Sequence, residues 1–224
     1  PILTSAPSPF PAEHRLVLVV PTVSTTLRER EASAPEVARL LERVVAVRPG
    51  CYAAFFPSFA YLSLVRRLLA LPPAQVLVQV PGMATARRQL ALKRLRAADG
   101  PLLLLAVMGG VFGEGIDLPG EALIGAIVVG PGMPSVSFER ALMQRHFEER
   151  YEAGFAYAMV YPGLQRVIQA AGRVIRSEDD RGVIVLLGRR FAQGELSRCL
   201  PPHWYRHDPA ELCCADPVPL LEAF

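Results

Sequence analysis

The sequence predicts an α/β fold, a parallel sheet with helices on both faces. Three observations carry this. Short apolar runs rich in Val, Leu and Ile recur along the chain, as buried parallel strands require. Amphipathic or charged stretches of helical period separate them, giving βαβ alternation. A glycine-rich segment, GGVFGEGIDLPG, directly follows one apolar run, where open α/β sheets place their ligand loops.

The elements follow in order. Residues 1–14 are a proline-rich, extended lead-in. RLVLVV (15–20) is the first strand, and the polar stretch PTVSTTLRERE (21–31) leaves it. Ser33 and Glu36 have capping-box spacing with Pro35 between them, which predicts a helix starting there. Its apolar stripe is Val37, Leu40, Leu41, Val44 and Val45, and Gly50 ends it. CYAAFF (51–56) is a buried strand. Pro57 and Ser58 end it, and a helix over 59–70 puts Ser58 at its N-terminus, where a hydroxyl and free N–H groups suit either a plain cap or a phosphate. AQVLVQV (74–80) is the third strand. The helix after it, 84–98, carries Arg87, Arg88, Lys93, Arg94 and Arg96, a basic set that suits DNA or plain solvent. LLLLAV (102–107) leads into the glycine-rich loop, and IGAIVV (124–129) is the fifth strand. A long polar helix over 135–152 holds His146, a residue that needs no catalytic role there. GVIVLL (182–187) is the sixth strand, and residues 201–224 form a proline-rich tail packed on a domain of 15–200.

Composition narrows the function classes. At 51% hydrophobic and 20% charged, the 224 residues hold enough apolar surface for a sizeable core and are not a disordered chain. The net charge of +3 allows nucleic acid without requiring it. Cys51, Cys199, Cys213 and Cys214 include no C-x-x-C pair, so a zinc site is not predicted and reduced, cytoplasmic thiols are. No apolar run reaches membrane-spanning length. A chain opening on Pro1 is expected to be a piece of a longer polypeptide.

The chemistry concentrates in two stretches. LQRVIQAAGRVIR (164–176) predicts a helix on which Gln169, Arg173 and Arg176 share one face and Leu164, Ile168, Ala171 and Ile175 form the buried one. Gly172 leaves the backbone bare beside the arginines. Two guanidiniums and an amide together suit polyanionic oxygen, such as a phosphate chain, although a solvated basic face has the same spacing. In the glycine-rich loop, five of twelve residues are glycine, and Glu114 and Asp117 are its only charges.

Together, GEGIDLPGE, QAAGRVIRSEDDRG and LLGRRF resemble motifs V and VI of superfamily two helicases of the XPD/DinG branch, and FFPS (55–58) resembles the motif IV of that branch. The resemblance spans nearly the whole chain. It implies a RecA-like second motor domain of an ATP-dependent DNA helicase. By resemblance, Arg173 and Arg176 are the catalytic pair that stabilises charge on the transferred phosphoryl group. Gln169, Asp117, Glu114 and Gly115 are cleft residues, with Asp117 toward the ribose. Ser58, Gly110, Thr25 and Arg30 lie toward nucleic acid. The chain has no GxxxxGK[ST] loop and no DEAH-like run, so ATP and Mg²⁺ would be held mostly by a first motor domain of the same polypeptide, and any iron–sulphur cluster would lie there too. The implied partners are that domain and single-stranded DNA, travelled 5′ to 3′, with no membrane. Alone, the chain is expected not to hydrolyse ATP. A helicase-derived binding module without catalysis is the competing class.

Overall fold

The apolar runs pair into one sheet because each carries too little polar surface to lie anywhere but inside. The computed structural model describes residues 10–113, 123–175 and 177–224. Its strands are β1 (Arg15–Val20), β2 (Cys51–Phe56), β3 (Val76–Val78), β4 (Leu102–Val107), β5 (Gly125–Val129) and β6 (Gly182–Leu187). They are parallel throughout, in the order β1-β6-β5-β2-β4-β3. β2, β5 and β6 are buried over their full lengths, as continuous apolar strands between two helical layers should be.

Two cores result, one per face. α1 (Arg30–Val47) and α2 (Phe59–Leu68) press Val37, Leu41, Val44, Tyr61 and Val65 onto Tyr52, Phe56, Leu103 and Val185. α3 (Thr85–Arg96) and α5 (Tyr161–Ala171) cover the other face, with Leu95, Leu164, Val167 and Ala171 against Phe55, Leu104, Val128 and Ile184. The short α6 (Gly194–Arg198) adds Leu196 to that second core. The tail closes the outer edge of β1: Cys213 bridges Val19 in parallel, and the Cys214 N–H donates to the Val19 carbonyl at 2.9 Å. Beyond it, α7 (Val218–Ala223) lies by α1, where Arg43 pairs with Asp216 at 2.7 Å.

Three expectations are corrected. The first helix begins at Arg30, not after Ser33, because a 3-10 turn over Leu27–Glu29 runs straight into it. Ser33 is therefore inside the helix, bonding the Arg30 carbonyl and the Tyr61 hydroxyl rather than capping. The helix expected over 164–176 starts earlier and ends at Ala171. After it the chain tightens into three-residue turns, with Arg173 N–H to Ala170 O and Val174 N–H to Ala171 O at 3.3 Å each. Its buried face runs through Leu164, Val167, Ala170 and Ala171, so Ile168 is left 37% exposed.

One helix stands apart. α4 (Phe138–Tyr151) buries none of its residues against the sheet. Phe147 and Tyr151 instead stack on Tyr157, at 4.4 and 5.8 Å between ring centroids. Tyr157 lies in a π-helical turn, Ala156–Val160, that leads directly into α5. Among the described residues no helix is long and apolar enough to cross a membrane.

Candidate functional site

The carboxyl ends of β1, β2, β5 and β6 converge on a cationic cluster. From the first residue of α1, Arg30 donates to the Thr25 carbonyl and to the Ser58 hydroxyl, each at 3.4 Å, and its guanidinium lies 5.2 Å from the Tyr61 ring centre. Ser58 caps α2, its hydroxyl accepting from the Tyr61 N–H at 3.3 Å. Arg190 enters from the turn after β6 and was not anticipated as a site residue. Among the described residues its Nη1 reaches only the Met133 sulphur, at 3.3 Å, and its Nε is buried without a hydrogen bond. Burial first, then the neighbouring Arg30, holds the Arg190 guanidinium below its ordinary pKa. Burial also lowers that of Arg30. The described ion pairs, Arg39–Glu36 and Arg43–Asp216, lie elsewhere. Two partly desolvated arginines with no carboxylate paired to them among the described residues repel each other, and an anion between them removes that penalty. The signal for Arg190 was the GRRF turn itself, a basic pair at the carboxyl end of a buried strand.

Thr25, expected toward nucleic acid, lies beneath the cluster in this structure. It is 2% exposed, and its hydroxyl is buried without a hydrogen bond. The cause is backbone packing. Gly130 (φ +75°) and Gly188 close over the side chain, and a Cβ on Gly130 would collide with the Thr25 hydroxyl. Thr25 thus supports the cluster from beneath.

The second region lies where the glycine-rich loop meets the end of α5. Arg173 follows the helix, beside Val174, which packs on Gly182 at the start of β6. The backbone of this segment thus lies beside the start of β6. The Arg173 guanidinium instead reaches the loop by its own length, donating to the Gly113 carbonyl at 2.9 Å. Arg166, on α5, donates to the Gly132 carbonyl at 3.2 Å and lies against Gly109. Gln169 is exposed on α5. Gly110 faces inward, where a Cβ would stand 2.5 Å from the Gln79 amide. Glu114, Gly115, Asp117 and Arg176 lie outside the described residues.

Chemically, the first region can take an anion between fixed cations. The second holds a guanidinium on a neutral carbonyl, a partner that phosphate oxygen can replace with a charge-assisted bond. Among the described residues no three His, Cys, Asp or Glu side chains stand together as metal ligands.

Comparison with known proteins agrees with this architecture. The helicase C-terminal domain family matches residues 41–207. A probable ATP-dependent helicase of Methanocaldococcus jannaschii is 24% identical over 93% of this chain and 34% of its own length. The XPD subunit of general transcription and DNA repair factor IIH from Schizosaccharomyces pombe is 26% identical over 69% of this chain and 21% of its own. The ATP-dependent DNA helicase DinG of Photobacterium profundum is 36% identical over 41% of this chain and 13% of its own. The chain thus spans about a third or less of the length of these curated relatives. An XPD helicase structure superposes with a TM-score of 0.68 at 18% identity, over 82% of this chain and 33% of that one, which shows the RecA-like fold. With its six-stranded parallel sheet and a family match over three quarters of its length, the chain belongs to the helicase C-terminal domain family, on the XPD/DinG side.

Proposed function

We propose that this chain is the second motor domain of an ATP-dependent DNA helicase, working with a first motor domain of the same polypeptide. The observation that carries the reading is the helicase C-terminal domain match over residues 41–207. The geometry supports a division of labour. Arg30, Ser58 and Arg190 form the contact for backbone phosphates of single-stranded DNA, since neighbouring, partly desolvated guanidiniums suit that charge. Arg173, with Arg176 by resemblance, faces the nucleotide. Its side chain is held near the loop by the Gly113 carbonyl and exchanges that bond for phosphoryl oxygen as charge develops there. By resemblance, Gln169, Glu114, Gly115 and Asp117 belong to this side of the cleft. ATP, with Mg²⁺, supplies the phosphoryl group, and the P-loop that holds it belongs to the first domain.

The test is ATP turnover by the full-length polypeptide and by this chain alone, with and without single-stranded DNA. The expected result is DNA-stimulated turnover by the former and none by the latter. Robust turnover by the isolated chain, or none by the full-length polypeptide, overturns the reading.

A further inference from the structure

The glycine-rich loop is pinned by a residue outside every motif considered so far. Gln79, just past the end of β3, is a polar side chain only 4% exposed. Its main-chain N–H continues the ladder, donating to Leu105 O at 2.9 Å. In a regular parallel ladder the next rung would run from the Val107 N–H to the main-chain carbonyl of Gln79. Here the Val107 N–H instead donates to the side-chain Oε1 of Gln79, at 3.0 Å. The amide side chain thus replaces the backbone where the strand stops, and it satisfies a donor that burial would otherwise leave unpaired.

The loop is built directly on that rung. Gly110 N–H donates to Val107 O at 3.0 Å, with Gly109 at φ +69° between them, and Gly113 N–H donates to Gly110 O at 2.8 Å. Gly110 also rests on the far side of the same amide, with no room for a Cβ. Gly113, at the end of this pair of turns, presents the carbonyl that holds Arg173. Gln79 therefore fixes the loop at two points, Val107 and Gly110, and through them sets where the Gly113 carbonyl stands.

We infer that Gln79 is a positioning residue for Arg173: its side-chain amide locks the Val107–Gly113 turns and so places the carbonyl from which the arginine is delivered. This rests on the functional reading above for its kinetic consequence and on geometry alone for the lock. Gln79 touches no substrate; it acts through the loop.

Two measurements test it. In the 224-residue chain, Gln79→Leu keeps the volume and removes the acceptor, so amide exchange at Val107, Gly110 and Gly113 should quicken by roughly tenfold or more while α1 amides stay unchanged. Gln79→Glu keeps an acceptor oxygen and should restore slow exchange. In the full-length polypeptide, Gln79→Leu should lower kcat for DNA-stimulated ATP hydrolysis roughly tenfold with KM for ATP within about twofold, since misplacement by an ångström costs up to about 10²-fold in rate. Gln79→Glu should recover most of that loss. Unchanged exchange in Gln79→Leu overturns the lock, and equal impairment of the Leu and Glu variants reduces Gln79 to packing. Faster exchange with unchanged kcat overturns the positioning role. A wild-type polypeptide without DNA-stimulated turnover sinks the functional reading and the kinetic half of this inference, while the exchange result then decides the lock separately.

Discussion

Arg190 and Arg173 stand on opposite terms with their surroundings. Arg190 is wedged at the end of β6 beside a second cation, Arg30. Arg173 follows a helix end and has a main-chain carbonyl as a neutral partner. The first arrangement sets like charges side by side, a penalty that an anion between them relieves. The second already holds a backbone acceptor and can exchange one acceptor for another. A fixed cluster of the first kind suits a ligand held by charge alone, such as a phosphodiester backbone. An exchangeable arginine of the second kind suits a step in which charge appears and disappears.

The largest expected effect breaks that comparison at Arg173. In the full-length polypeptide, Arg173→Ala should lower kcat by about 10²–10³, the lower end of what arginine fingers contribute or less, because two arginines share the task. KM for ATP should change little, since the interaction belongs to the transition state. Arg173→Lys should rescue little, for lysine lacks the planar fork. Melting temperature should hold, because the helix core at Leu164, Val167 and Ala171 is untouched. A purely structural arginine gives the reverse pattern: a lower melting temperature with normal turnover per folded molecule. Calorimetry and turnover on the same preparation separate the two.

Next in size is a change to the frame of the Arg190 cluster. Gly130→Ala places a Cβ against the Thr25 hydroxyl at a positive φ. It should destabilise the chain by about 2–4 kcal/mol, from left-handed backbone strain plus overpacking. Urea unfolding measures this; a loss below about 0.5 kcal/mol, within the range of an ordinary surface substitution, would show that the cluster is looser than its packing indicates.

Third comes Arg190 itself. Arg190→Ala should weaken single-stranded DNA binding by about tenfold at low salt and lower the salt slope by about 0.7, the share of one phosphate on a single strand. Removing a desolvated, repelled cation should leave stability level or raise it. Unchanged affinity and slope would mean that the two guanidiniums meet something other than a phosphate backbone.

The fold was legible in the sequence because buried parallel strands are nearly uniform in character. VLVV, AAFF, LLLL and AIVV cannot lie at a surface, and their order with helices between them specifies a doubly covered sheet. The site was less legible, for local reasons. Val167 and Ile168 are adjacent and both apolar, so helical period alone permits either face inward; packing against β5 and β6 selected Val167. Gly172 just past Ala171 was a usable stop signal for the helix, but the apolar pattern continued through Val174 and Ile175 and masked it. Gln79 gave no signal at all, since a glutamine inside the strand expected over 74–80 reads as an ordinary strand position until its side chain is seen to take a backbone rung. Thr25 was placed by motif resemblance, which reports that a residue belongs to a site and not whether it faces the ligand or supports it.

That distinction at Thr25 gives the smallest and most discriminating effect. Its hydroxyl is buried under Gly130 and Gly188 and makes no hydrogen bond, so the folded state carries a desolvated polar atom without compensation. Thr25→Val keeps the shape and removes that atom. Losing an unsatisfied hydroxyl should stabilise the chain by about 1 kcal/mol, the lower part of the range for an unpaired buried polar group. For a chain of this length that corresponds to a rise of about 2–4 °C in melting temperature. Affinity for single-stranded DNA should stay unchanged, because Arg30, Ser58 and Arg190 keep their places above the substituted residue. Thr25→Ala is the control: it removes the same hydroxyl but also a methyl, so a cavity should offset the gain and leave stability level or lower. Measured together, the pair separates support from contact. If Thr25→Val binds DNA as weakly as Arg190→Ala does, the hydroxyl emerges to meet a phosphate when DNA arrives, and the cluster at the carboxyl edge rearranges on binding instead of waiting preformed.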